Sequence, residues 1–134
     1  MLGVDSNVLI RFFTRDDEKQ FEQASRVFDR AADHTLFLSV IVMVEVNWAL
    51  RRGYKRARND VLQTLEDLVQ TRQFVIEDRE NVISAIAIAR ATKADFSDAL
   101  IALRNEVNGC SETATFDHDA LDIGQMTQVG ALLK

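Results

Sequence analysis

The sequence predicts an α/β domain with a short, mostly parallel sheet. Short apolar runs of strand length alternate with longer segments whose apolar residues recur at helical spacing. Strands that alternate with helices imply parallel pairing through right-handed crossovers. There is no proline, no Gly/Ser linker and no repeat, which predicts a single domain over residues 1–134.

In chain order, Leu2-Gly3-Val4 is an apolar run that ends at Asp5 and reads as a buried strand entering a helix cap. Val8-Leu9-Ile10 and Phe12-Phe13 then give a short helix. Residues 16–32 carry Phe21, Ala24, Val27, Phe28 and Ala31 at helical spacing, with Asp16, Asp17 and Glu18 in a first turn where the dipole favours acids. Residues 35–39 read as the second strand. A strongly apolar helix is expected over 41–52, closed by Arg51, Arg52 and Gly53. An amphipathic helix over 56–72, a strand at Phe74-Val75-Ile76 and an Ala/Ile-rich helix over 79–92 follow. Asp95-Phe96-Ser97-Asp98 opens a helix ending near Asn108-Gly109. Residues 112–116 read as a fourth strand ending at Asp117, and the tail from Met126 holds a fifth.

No apolar run approaches the roughly 18–20 residues of a membrane span. The opening MLGVDSN lacks the basic and then apolar pattern of a secretory leader, so a cytoplasmic location is expected. One cysteine, Cys110, excludes an intramolecular disulfide, and with only two histidines it excludes a Cys/His zinc cage. Any bound metal must take oxygen ligands. The net charge of −5 argues against a nucleic-acid partner unless several acids gather around cations. Twelve of the 16 basic residues are Arg, the residue suited to bidentate phosphate contact.

Ligands of parallel sheets bind outside the carboxyl ends of the strands. Asp5 and Asp117 both sit just past such an end, so both are candidates for one crevice. Glu45 lies within Val40–Leu50, a helix apolar almost all round, and is expected to be largely buried. An unpaired buried carboxylate costs several kcal/mol or takes up a proton. Pairing with an arginine, or a place on one exposed stripe, would answer that cost. Arg51 and Arg52 lie too far along the helix to be local partners, however, so a bound cation explains the position better. Asp5, Asp95, Asp98 and Asp117 each have a simpler account as helix caps or first-turn acids. Capping explains single acids, but not why so many strand-to-helix turns carry one. Two carboxylates about 4 Å apart repel by ~1 kcal/mol in water and ~4 kcal/mol at an effective dielectric near 20. Mg²⁺ or Mn²⁺ removes that cost, and such an ion activates water and steadies charge on a phosphoryl oxygen.

Taken together, GVDSNVLIRFF (3–13), VMVEVNWAL (42–50), DFSDALIA (95–102) and ATFDHDAL (114–121) resemble the PIN domains, specifically the VapC-type toxin ribonucleases, over essentially the whole chain. The resemblance implies a three-layer α/β/α fold and a Mg²⁺- or Mn²⁺-dependent endoribonuclease. It also implies a homodimer, and inhibition by a cognate VapB-type antitoxin whose tail covers the acidic site. Carried over, it makes Asp5, Glu45, Asp98 and Asp117 the catalytic and metal-holding acids, with Asn7 and Thr115 as supporting polar residues. Asp95 and Asp119 are extra acids, either auxiliary ligands or structural. Arg11 and Arg15 follow the first acid closely and are candidates for substrate phosphate or an antitoxin carboxylate.

Three other readings are open at this level. Asp5-Ser6-Asn7-Val8 after a strand fits a haloacid-dehalogenase-like phosphatase, but that chemistry wants an aspartate where Asn7 stands. A receiver domain would use an acid after the third strand, where Glu77-Asp78 lies, and a lysine near the last strand, which is missing apart from terminal Lys134. A catalytically silent PIN-like module binding RNA or protein is the third. The basic cluster Arg51, Arg52, Lys55, Arg56 and Arg58 reads as a solvated helix end or an RNA-backbone track. Phe12, Phe13, Phe21 and Phe28 read as core or as a partner groove, and Met43 and Trp48 as core or dimer seam.

Overall fold

A computed structural model describes residues 1–134. The fold is α/β with short parallel strands, and its backbone contacts divide into two compact units, Met1–Arg79 and Glu80–Lys134.

The first unit holds a three-stranded parallel sheet of β1 (Leu2–Gly3), β2 (Leu36–Leu38) and β3 (Phe74–Ile76) in that order. Leu2 stands opposite Leu36, and Leu36 opposite Phe74. Two helices, α1 (Ser6–Thr14) and α2 (Glu18–Arg30), connect β1 to β2, and α3 (Val40–Trp48) and α4 (Arg58–Gln70) connect β2 to β3. Helices α2 and α3 start where the sequence supplies a cap, whereas α4 begins after Ala57 with no side-chain cap. Asp17 accepts the N–H of Gln20 at the head of α2, and Ser39 Oγ accepts that of Val42 at the head of α3. Asp16 therefore lies outside α2 rather than in its first turn. Leu9, Leu38, Met43, Val46, Leu50 and Leu65 are fully buried and form the heart of this unit, each worth roughly 1.5–3 kcal/mol relative to exposure. Val4, just past β1, is buried as expected, but both residues of β1 are exposed, Leu2 at 55%. Leu2 lies on an outer strand of this sheet, where only one side has a hydrogen-bonded neighbour.

Two features of α3 depart from the sequence reading. The helix stops at Trp48 and the chain continues as a π-helical turn, Ala49–Gly53, in which the Tyr54 N–H donates to Ala49 O five residues back. Trp48 is 44% exposed, so it is not a core residue, whereas Met43 is fully buried. The four phenylalanines of α1 and α2 form one aromatic cluster in which Phe12 contacts Phe13, Phe21 and Phe28. Phe28 in turn meets Phe74 of β3 edge-on at 5.5 Å, so the cluster belongs to the packing of this unit. An apolar cavity of about 240 Å³ lies beside it, lined by Leu9, Phe12, Phe13, Phe28, Leu68 and Phe74.

The second unit carries the remaining length of α5 (Arg79–Ala91), then α6 (Phe96–Val107), β4 (Thr113–Thr115), β5 (Met126–Gln128) and α7 (Val129–Leu132). Strands β4 and β5 pair in parallel as a separate two-stranded sheet, with Thr113 opposite Met126. A 3₁₀ turn, Asp119–Asp122, joins them; neither it nor α7 was expected. Both are four-residue segments, too short for an apolar period to register in sequence.

Candidate active site

Asp5 sits two residues past the end of β1, as expected, and caps α1. Its Oδ1 accepts the N–H of Ser6 at 2.7 Å. Ser6 is buried, and its hydroxyl stands 3.4 Å from Asp5 Oδ1 and 3.3 Å from Glu45 Oε2. A hydroxyl has one proton, so it satisfies only one of these acceptors at a time. The structure therefore brings Asp5 and Glu45 together around one side chain that sequence reasoning had passed over as part of a cap run. The available signal was only its place directly after Asp5.

Glu45 corrects the sequence argument in one respect. It is exposed, not buried, and lies on the same stripe of α3 as exposed Ile41 and Trp48. The buried faces of the helix are carried by Val42, Met43, Val46 and Asn47. An apolar composition all round thus conceals one open stripe, and the burial cost invoked for Glu45 does not arise. What singles it out instead is its convergence with Asp5 on Ser6, which lies 39 residues away in the chain.

The other acids lie in the second unit. Asp95 is the N-cap of α6, its Oδ2 accepting the Ser97 N–H at 2.9 Å. Asp98 is half-buried in the first turn of that helix. Asp117 is exposed two residues past β4. Its Oδ1 accepts the N–H groups of Asp119 and Ala120, while its own N–H donates to Thr115 Oγ1 at 3.0 Å. Thr115 thus supports the turn that carries Asp117. Asp119 is exposed in the 3₁₀ turn, and Asn7 is exposed in the first turn of α1.

The two arginines expected near substrate are engaged internally. Arg11 donates from Nε to Gln20 Oε1 at 2.8 Å and pairs with Asp16 at 3.3 Å. Arg15 caps the end of α1 with positive φ, pairs with Glu18 at 3.1 Å and stacks over the Phe21 ring. Its guanidinium pKa is raised, chiefly by the hydrogen bond to Glu18. A phosphate contact by either would have to replace these pairs, which is the physical argument against that expectation. The Tyr54 hydroxyl donates to Asp16 at 2.7 Å and is the main reason the Asp16 carboxyl titrates below its ordinary range. Arg56 donates to Phe13 O at 2.9 Å and Arg52 lies over the Trp48 ring. Part of the basic cluster is therefore tied into local structure. Glu77 accepts the Val40 N–H at 2.8 Å, so the first acid after β3 is engaged at the head of α3.

The donor set suits a hard cation. Mg²⁺ keeps much of its hydration and is commonly held by one or two carboxylates together with substrate phosphate. Asp5 and Glu45 provide such a pair, all oxygen and open to solvent. No group of three or more acid, histidine or cysteine side chains is gathered into a fuller cage.

Comparison with known proteins places the chain in a family. A family model described as the PIN domain matches residues 3–125. The chain is also 25% identical over 126 residues to a VapC ribonuclease of Aquifex aeolicus (strain VF5), covering 92% of this chain and 93% of that protein. The match to the family model takes in both units and all four expected acids, and on that ground the chain belongs to the PIN domain family.

Proposed function

We propose that this chain is a divalent-metal-dependent endoribonuclease, hydrolysing RNA phosphodiester bonds as the toxin of a VapBC-type toxin–antitoxin pair, in a single PIN-like domain over residues 1–134. The observation that carries the reading is the convergence of Asp5 and Glu45 on the Ser6 hydroxyl in a member of the PIN family. Similarity to a VapC ribonuclease over nearly the whole of both chains supports it.

In this reading Asp5, Glu45, Asp98 and Asp117 hold Mg²⁺ or Mn²⁺, with Asn7 and Thr115 as polar supports, while Asp95 caps α6 and Asp119 stands in the turn after Asp117. When bound, the cation supplies a Lewis acid toward the phosphoryl oxygen and lowers the pKa of water. The chain's own part is positioning. Ser6 steadies Asp5 through its N–H and reaches Glu45 through its hydroxyl. Asp117 is fixed at one oxygen by two backbone N–H groups, which leaves the other to act. Carboxylates pre-set in this way need little further ordering when substrate arrives. A VapB-type antitoxin covering these acids, a homodimer and a cytoplasmic location belong to the same proposal.

The test is cleavage of RNA by purified protein with Mg²⁺, with Mn²⁺ and with chelator. Metal-dependent cleavage that disappears in Asp5→Asn and Glu45→Gln, both still folded by circular dichroism, is the expected result. Cleavage undiminished in either variant would overturn the assignment. RNA binding with no cleavage by wild type would favour the silent module.

A further inference from the structure

A cleft of about 370 Å³ opens between α1 and α2, within the range of small-ligand sites. Its lining divides by chemistry. Val8 and Val27 give it apolar surface, while Asn7, Gln20 and Gln23 contribute carboxamides and Arg11 its guanidinium. Its α1 wall starts at Asn7, two residues after Asp5 in the chain.

The charge of the lining selects among ligands. Arg11 is its one cation, and Asp16 neutralises it at 3.3 Å while Gln20 and Tyr54 take further guanidinium hydrogens. A phosphate would have to share Arg11 with these partners. Carboxamides, in contrast, offer a donor and an acceptor on one plane, which is what the edge of a heteroaromatic base requires. Asn7 and Gln23 are exposed, and Gln20, whose carbonyl is used by Arg11, keeps its NH₂ for donation. The salt bridge and the Nε–Gln20 bond also hold this wall in place before any ligand arrives.

We propose that the α1–α2 cleft is a nucleobase subsite, in which Asn7, Gln20 and Gln23 read the edge of an unpaired base of the RNA held at the acid pair. Single-stranded RNA is the form whose base edges are free to be read in this way. The inference rests on the ribonuclease reading for its substrate, and its test has two independent arms.

In the first arm, the side-chain amide resonances of Asn7, Gln20 and Gln23 are followed by NMR while each of the four ribonucleosides is added. Saturable shifts of these amides, larger for one or two bases than for the others, are expected whether or not the protein cleaves RNA. In the second arm, kcat and KM are measured on short RNAs differing in a single base. The Gln20→Ala/Gln23→Ala double variant should raise KM for the preferred RNA by about tenfold, with kcat within about twofold, and flatten the preference. Should the double variant fail to fold, Gln23→Glu serves, since it turns an amide donor into an acceptor and should change which base is preferred. Amides that stay fixed with every nucleoside while RNA is cleaved overturn the subsite and leave the nuclease intact. Shifts without cleavage overturn the nuclease and leave the subsite.

Discussion

Asp5 and Asp95 both cap helices from the position before the first turn, one in each unit. Asp95 accepts an N–H two residues on, from Ser97, and Asp5 accepts that of Ser6, its neighbour. At Asp5, however, the serine that donates its N–H also reaches Glu45, 39 residues along the chain. Asp117 is intermediate: two backbone N–H groups hold one of its oxygens, and it stands past a strand end as Asp5 does. Capping is a local demand that any helix start makes. Bringing a second carboxylate to a cap from another helix is not local, and such convergence of like charges asks for a functional reason.

Substitutions can break this comparison, the largest effects first. Asp5→Asn and Glu45→Gln should each lower metal-dependent RNA cleavage by roughly 100-fold or more, read from single-turnover rates, while the melting temperature without metal hardly moves. Equal loss of cleavage in Asp95→Asn would erase the distinction drawn here. Asp117→Asn separates two roles, because Asn retains the oxygen that accepts from Asp119 and Ala120 but loses the charge. The unfolding free energy from denaturant titration should stay within about 0.5 kcal/mol of wild type, with cleavage reduced more than tenfold. Unchanged cleavage would leave Asp117 as a cap alone.

Added Mg²⁺ or Mn²⁺ should raise the melting temperature of wild type but not of Glu45→Gln, following the logarithm of free metal, a readout that needs no RNA. Asp95→Ala should cost about 1 kcal/mol of stability by removing the Ser97 acceptor, measured by urea unfolding, and leave cleavage within a few-fold. The smallest effect is expected at Tyr54→Phe. The Tyr54 hydroxyl lowers the pKa of Asp16, so its contribution is present above the ordinary carboxylate pKa and is lost as pH falls through the lowered one. NMR titration of Asp16 in Tyr54→Phe should move its midpoint upward, and the variant should differ from wild type above that range and converge with it in acid.

Much of the fold was legible because it is written in short-range patterns. The strand at Phe74–Ile76 and the helix capped by Asp95 stand where apolar period and capping chemistry put them. The acid positions were legible for the same reason, since strand ends and helix starts mark themselves. Ser6 was not, because its part depends on a helix that arrives from elsewhere. Nor was the exposure of Glu45, since apolar neighbours on every side of a helix do not reveal which stripe lacks a partner.

The sequence alone therefore determined the α/β alternation, the helix caps and the oxygen-only donor chemistry, all of which depend on residues a few positions apart. Tertiary structure alone decided that Glu45 meets Asp5 over a serine and that Arg11 is engaged by Asp16 and Gln20. It also decided that Trp48 and Ile41 face outward. Those outcomes depend on which faces of distant segments come into contact, and neither composition nor local period encodes that choice.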